Sequence, residues 1–143
     1  CACFDYVQVN EDELAMLAPD GLALAATAIG VGVRHLLVTL GKQGVVYFAA
    51  PGTDGVMAFG RRARAAGGAL RTARVAASAL RIDGPGDPTG CGDVWGATYF
   101  SRLVAGDIMD VALRRATDAA ARNVEHRGAT GLAHHLRGEL HLL

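Results

Sequence analysis

The sequence predicts an α/β protein built on a mostly parallel sheet, and three observations carry that reading. His35-Leu36-Leu37-Val38-Thr39-Leu40 is a continuous apolar run, the pattern of a strand buried on both faces. Segments of strand character alternate with segments of helical period along the chain. A glycine-rich stretch, Asp87-Pro88-Thr89-Gly90-Cys91-Gly92-Asp93, sits between a β-branched, alanine-rich segment and a long alanine-rich helical one.

Taken in order, Cys1 to Val9 reads as a strand, with Cys1 and Cys3 as buried strand thiols. No second Cys/His pair stands at a metal-ligand spacing from them. Asn10-Glu11-Asp12-Glu13 follows at the strand's carboxyl end. Asn10 is a good N-cap and Glu13 lies three residues on, the spacing of a capping box. The helix it opens runs to about Leu17; Pro19-Asp20 restarts it, and Leu22 to Ile29 continues it. Gly30-Val31-Gly32-Val33 ends it before the His35–Leu40 strand. Thr39-Leu40-Gly41-Lys42-Gln43-Gly44 is then a glycine turn into a second strand, Val45-Val46-Tyr47-Phe48. Lys42 does not make this a Walker A loop, because leucine and glutamine stand at positions 36 and 43.

The middle of the chain says least. Pro51 to Gly55 is a turn and Val56 to Phe59 a short strand. Arg61, Arg62 and Arg64 read as a solvated loop rather than phosphate contacts. Gly67-Gly68 marks another turn. Thr72 to Leu80 leads to the turn Asp83-Gly84-Pro85-Gly86 and the glycine-rich corner. Beyond it, Val94 to Val104 forms a helix with Trp95, Tyr99 and Leu103 on one core-facing stripe. Gly106-Asp107 breaks that helix, with Asp107 as N-cap of the next, Ile108 to Glu125. Arg127 to Gly131 ends it, and His134, His135 and His141 fall on an amphipathic tail without a metal-binding spacing.

Composition bounds the possibilities. The 143 residues fit one domain with a real core, and 51% hydrophobic with 20% charged residues is a globular balance. Lys+Arg and Asp+Glu are equal at 14 each, so there is no electrostatic case for nucleic acid or a membrane surface as partner. No apolar run is long enough to span a bilayer. Three cysteines, an odd count, make no disulfide framework, which leads to the expectation of a cytoplasmic protein with reduced thiols.

The chemistry concentrates in the corner. A glycine pair opening a helix exposes free backbone N–H groups at the positive end of the dipole, where no Cβ keeps an anion away. Asp93 falls in the first turn, beside that anion. A carboxylate grips a phosphate poorly but can take a proton from a hydroxyl attacking one. An anion hole formed by Gly90, Cys91 and Gly92, with Asp93 as general base, is the catalytic reading.

The heptad resembles the Asp-x-Thr-Gly-x-Gly-Asp signature of the ribokinase-like (PfkB) carbohydrate and nucleoside kinases, with Cys91 where alanine is usual. Asn10-x-x-Glu13 resembles the family's Asn-x-x-Glu motif, and Thr39-x-Gly41-x-x-Gly44 its nucleotide-binding turn. The order of the three motifs agrees as well. A Rossmann reading fails, since Trp95 stands where Gly or Ala is needed after Gly90-Cys91-Gly92, and His35 where one is needed after Gly30-Val31-Gly32.

The resemblance implies a three-layer α/β/α fold and an ATP-dependent phosphotransferase acting on an alcohol of a sugar, nucleoside or related small molecule. It implies ATP contacts from Asn10, Glu13, Thr39, Gly41, Gly44 and Thr89. It also implies Mg²⁺ held by Glu13 through water, and a monovalent cation such as K⁺ beside Asp87. Residues 1–143 correspond to the nucleotide-binding, carboxyl-terminal half, so the expectation is that the amino-terminal half is missing. The chain then needs that half, a partner chain or self-association. A catalytically silent subunit derived from such a kinase is the alternative.

Overall fold

The computed structural model describes residues 3–53, 68–79 and 86–126. The expected Val56–Phe59 strand, the arginines at 61, 62 and 64, the Asp83–Gly86 turn before Gly86, and the histidine tail fall outside these residues, as does Cys1. Strand β1 (Tyr6–Asn10) leads into helix α1 (Glu11–Leu17) and helix α2 (Gly21–Gly30). Strand β2 (His35–Thr39), a 3-10 turn (Gly41–Gln43), strand β3 (Val45–Ala49) and strand β4 (Arg71–Val75) follow, then helices α3 (Cys91–Val104) and α4 (Met109–Asn123).

The sheet order is β1-β2-β3-β4, and the sheet is mixed where a mostly parallel one was expected. β1 pairs with β2 in parallel, while β2–β3 and β3–β4 are antiparallel. The reason lies in the connections. The helical crossover α1–α2 between β1 and β2 is long enough to return the chain in the same sense, whereas the turn between β2 and β3 permits only a hairpin. Gly44 closes that hairpin at φ 93°, and a Cβ there would stand 2.0 Å from the Val75 carbonyl oxygen of β4. Glycine is therefore required by backbone conformation and by packing at once.

Side-chain alternation along the strands divides the core into two apolar layers. Leu36, Val38 and Phe48 pack against Ala25 and Ala28 of α2 on one face. Leu37, Val45, Tyr47 and Ala49 pack against Trp95, Tyr99, Leu103, Leu113 and Ala116 of α3 and α4 on the other. The result is the expected three-layer α/β/α arrangement, and Leu36, Leu37 and Val38 are each 2% exposed. Burying each of these side chains contributes about 1.5–3 kcal/mol.

The polar side chains of Trp95, Thr117, Tyr99 and His35 are paired within the core. The Trp95 Nε1–H donates to Thr117 Oγ1 at 3.1 Å, and that hydroxyl donates to the Leu113 carbonyl at 2.9 Å. Burial pushes the Tyr99 hydroxyl far above the usual tyrosine range, so it stays protonated. It donates to His35 Nδ1 at 2.6 Å, leaving the His35 Nε2–H to donate to the Thr53 carbonyl at 3.3 Å.

Three local expectations are corrected. β1 starts at Tyr6 rather than Cys1, because its partner β2 starts at His35 and leaves nothing earlier to pair with. Cys3 is consequently an exposed thiol and not a buried strand residue. Asp107 is not the N-cap of α4. Ile108 holds that position, and Asp107 instead receives a bidentate pair from Arg102, 2.6 Å from Nε and 2.9 Å from Nη2. A charge-assisted fork outcompetes a neutral backbone N–H for a carboxylate.

Candidate functional site

The end of β1 and the first turn of α1 deliver Asn10 and Glu13, and α3 delivers Gly92 and Asp93 to the same place. Period 2 puts Tyr6, Gln8 and Asn10 on the α3 side of the sheet, since Val7 and Val9 pack with the α2 layer. An open cleft of about 460 Å³ lies between β1's carboxyl end and the first turns of α3. Gln8, Asn10, Glu13, Thr39, Gly92, Asp93, Gly96 and Ala97 line it. Asn10, Glu13, Thr39, Gly92 and Asp93 are thus brought together from three separate stretches of sequence.

The capping box is complete. The Asn10 N–H donates to Glu13 Oε2 at 2.8 Å, and the Glu13 N–H donates to Asn10 Oδ1 at 2.8 Å. This reciprocal lock holds the Glu13 carboxylate at the cleft wall, on the first turn of α1. Thr39 contributes its hydroxyl from the end of β2, where it donates to the Val9 carbonyl at 3.4 Å and keeps its acceptor capacity.

The corner leaves the Gly92 and Asp93 N–H groups at the start of α3 without a backbone acceptor among the described residues, whereas the Cys91 N–H, expected to join the anion hole, donates to the Pro88 carbonyl at 3.1 Å. Gly90 caps α3 in the left-handed region at φ 79°, with no side chain over the helix start. α3 begins at Cys91, three residues earlier than its apolar stripe suggests, which puts Asp93 in the first turn. Asp93 is exposed and has no hydrogen bond or ion pair among the described residues. Such a carboxylate can accept a proton without first breaking a salt bridge.

The remaining candidates support the corner or lie away from the cleft. Asp87 Oδ1 accepts from the Thr89 N–H at 2.9 Å, an Asx turn that shapes the approach to Gly90. Gly41 and Gly44 belong to the hairpin and are not among the residues lining the cleft. Gly92 needs no special backbone conformation. It lies within the helix, and a Cβ there would meet only Gln8 Nε2, at 3.8 Å. The conformational demand sits at Gly90.

Two residues escaped the sequence reading. Gln8 Nε2–H donates to the Gly92 carbonyl at 3.0 Å, tying β1 to the corner. Its signal was the alternation that places it with Asn10. Asn123, wholly buried at the end of α4, donates from Nδ2 to the Thr89 carbonyl at 3.0 Å and lies 3.6 Å from Cys91 Sγ. The only available signal was an amide in an alanine-rich helix.

Among the described residues no group of three or more His, Cys, Asp or Glu side chains could hold a metal ion. Nor is any single helix long and apolar enough to cross a membrane.

Residues 1–135 match the pfkB family carbohydrate kinase. Similar solved structures include a ribokinase from Thermotoga maritima, with 23% identity, a TM-score of 0.65, and coverage of 87% of this chain and 37% of that one. An Arabidopsis thaliana ribokinase complexed with ribose and ATP gives 24%, 0.63, 87% and 36%. A fructokinase from Vibrio cholerae O395, bound to fructose, ADP and calcium ion, gives 20%, 0.65, 90% and 37%. At these identities the likeness is one of fold. The chain spans 34–37% of the length of these and related structures. No curated protein sequence matches it.

Proposed function

From the premise that the chain belongs to the pfkB family of carbohydrate kinases, we propose that it is the nucleotide-binding part of an ATP-dependent phosphotransferase. Its acceptor is an alcohol group of a sugar, nucleoside or related small molecule. The observation that carries this reading is the meeting of Asp93, Gly92, Asn10 and Glu13 around one cleft.

In the proposed reaction the acceptor hydroxyl lies against Asp93, which takes its proton as the oxygen attacks the terminal phosphorus in line. The N–H groups of Gly90 and Gly92 face the negative charge that builds on the transferring group, while that of Cys91 holds the turn by donating to the Pro88 carbonyl. Their contribution is pre-organised, because Gly90 already holds its left-handed conformation and the Asx turn of Asp87 holds the approach. Asn10 contributes by fixing Glu13, and Thr39 by offering a hydroxyl acceptor at the end of β2.

Mg²⁺ fits the chemistry of Glu13: a hard cation that retains its waters needs one nearby carboxylate, and Glu13 spends Oε2 on the Asn10 N–H while its second oxygen remains to accept from a metal-bound water. When bound, the ion would neutralise charge on the nucleotide phosphates. A K⁺ site beside Asp87 is part of the proposal and is tested by the dependence of turnover on K⁺ against Na⁺.

Asp93 and the cleft are open to solvent, and phosphoryl transfer requires water to be excluded from the acceptor. The proposal therefore includes residues outside this segment, from a longer chain, a partner chain or a second copy. It also includes a cytoplasmic setting, where the exposed thiol of Cys3 stays reduced. The test is ADP release by the full-length protein with ATP and Mg²⁺ across a panel of sugars and nucleosides. Acceptor-dependent release is the expected result. Nucleotide binding without transfer to any acceptor would favour a silent subunit.

A further inference from the structure

Gly96 stands in the interior of α3, where glycine costs a helix about 1 kcal/mol relative to alanine. Backbone conformation gives no reason for it, since its φ is not among the positive ones. Space gives the reason. A Cβ at Gly96 would stand 2.1 Å from Gln8 Oε1 and 3.2 Å from Gln8 Cδ. The missing side chain is the slot through which Gln8 reaches the helix.

What Gln8 does there bears on the proposed base. Its Nε2–H donates to the Gly92 carbonyl at 3.0 Å. That carbonyl belongs to the peptide plane whose nitrogen is Asp93's own. A carbonyl oxygen has two lone pairs, so Gln8 can hold it beside the helix's own i+4 donor, which is Gly96. Gln8 thus grips the peptide unit from which Asp93 projects, and Gly96 leaves room for the grip. Two residues along the same face of β1, the Asn10 side chain locks Glu13. One strand therefore fixes the spacing between the Glu13 wall and the Asp93 wall of the cleft.

We propose that Gln8 is a positioning residue for Asp93, and that Gly96 is glycine so that Gln8 can act. This rests on the reading of Asp93 as the base. Because the obstruction at Gly96 is the end of a flexible side chain, Gly96→Ala need not unfold the protein. The added methyl displaces Gln8 and leaves the helix intact. Gly96→Ala is then a way of removing Gln8's contact without touching Gln8.

The test uses the full-length protein as parent, Gln8→Ala, Gly96→Ala and the double variant. Misplacing a reacting group by about 1 Å costs up to about 100-fold in rate. Both single variants are expected to lose roughly 10-fold or more in kcat, with KM for ATP changed by no more than about two-fold. The double variant should be no worse than the worse single one, because both substitutions remove one contact. Gln8→Glu, the same size without the donor hydrogen, should fail to rescue. Losses that multiply in the double variant, or a Gly96→Ala enzyme with parental kcat, overturn the proposal. A second readout is independent of turnover: the side-chain amide protons of Gln8, followed by NMR, should move to solvent-like shifts in Gly96→Ala. If the parent transfers no phosphate, the kinase reading fails, and the unmoved or moved Gln8 resonances still decide whether Gly96 makes room for Gln8.

Discussion

Asn123 at the end of α4 holds the carbonyl of Thr89, 34 residues earlier, through a 3.0 Å bond from its side-chain amide. Its Oδ1 is buried without a partner among the described residues, which by itself costs stability. The donor bond fastens the loop ahead of Gly90 to the helical layer.

Asn123→Ala should loosen that loop. The lost hydrogen bond costs about 1 kcal/mol, and a small buried void adds to it. The more specific expectation is faster thiol labelling at Cys91, which lies 3.6 Å from the same amide, with Cys3 labelling unchanged. Site-resolved mass spectrometry of the labelled protein checks it. Equal labelling rates at Cys91 in parent and variant would show that Asn123 does not restrain the corner.

Gly90 and Gly92 should respond differently to a methyl group. Gly90→Ala forces an L side chain to φ 79°, at a cost of about 1–2 kcal/mol, and should lower the melting temperature. Gly92→Ala meets only ordinary contact with Gln8 and should leave stability almost unchanged. It should instead weaken nucleotide binding, since the methyl stands in the cleft where phosphate approaches the main chain. Cys91→Ala restores the residue usual in the resembled signature and should be nearly silent in both. Thermal melts paired with nucleotide titrations separate the three outcomes.

Asp107 ties the turn between α3 and α4 by accepting from Arg102, with Arg115 3.7 Å away. The hydrogen bonds from Arg102 hold its carboxyl below the ordinary value of 3.8. A group with a depressed folded-state pKa stabilises the fold above its unfolded value, and that contribution is lost as pH falls through the folded one. Asp107→Asn should therefore be less stable than the parent at neutral pH, with the difference shrinking in acid below 3.8. Because the pair is only partly buried, added salt should shrink it too. Denaturant melts across pH and salt measure both effects.

How much of this was legible follows from how local each signal is. The Asn10–Glu13 box, the buried β2 run and the Trp95–Tyr99–Leu103 stripe are patterns complete within a few residues, and each appears as read. The mixed sheet was also written in the Thr39–Gly44 turn, too short for anything but a hairpin, yet the apolar run of β2 pointed to parallel neighbours. Asp107 was misread because the local rule for Asp after Gly knows nothing of Arg102 on the previous helix. Gln8 and Asn123 were missed for a related reason: their partners, Gly92 and Thr89, are 84 and 34 residues away. A lone amide in a sequence gives no sign of which distant carbonyl it will meet.

The central claim is that Asp93 takes the proton of the acceptor hydroxyl beside the N–H groups of Gly90 and Gly92. The measurement that tests it most directly is the turnover of Asp93→Asn in the full-length protein, with nucleotide affinity measured on the same preparation. Asparagine keeps the size of the side chain and the start of α3 but cannot accept the proton. The account predicts a fall in kcat of about 10²–10⁴-fold with ATP affinity nearly unchanged. An Asp93→Asn enzyme that turns over within a few-fold of the parent would contradict it.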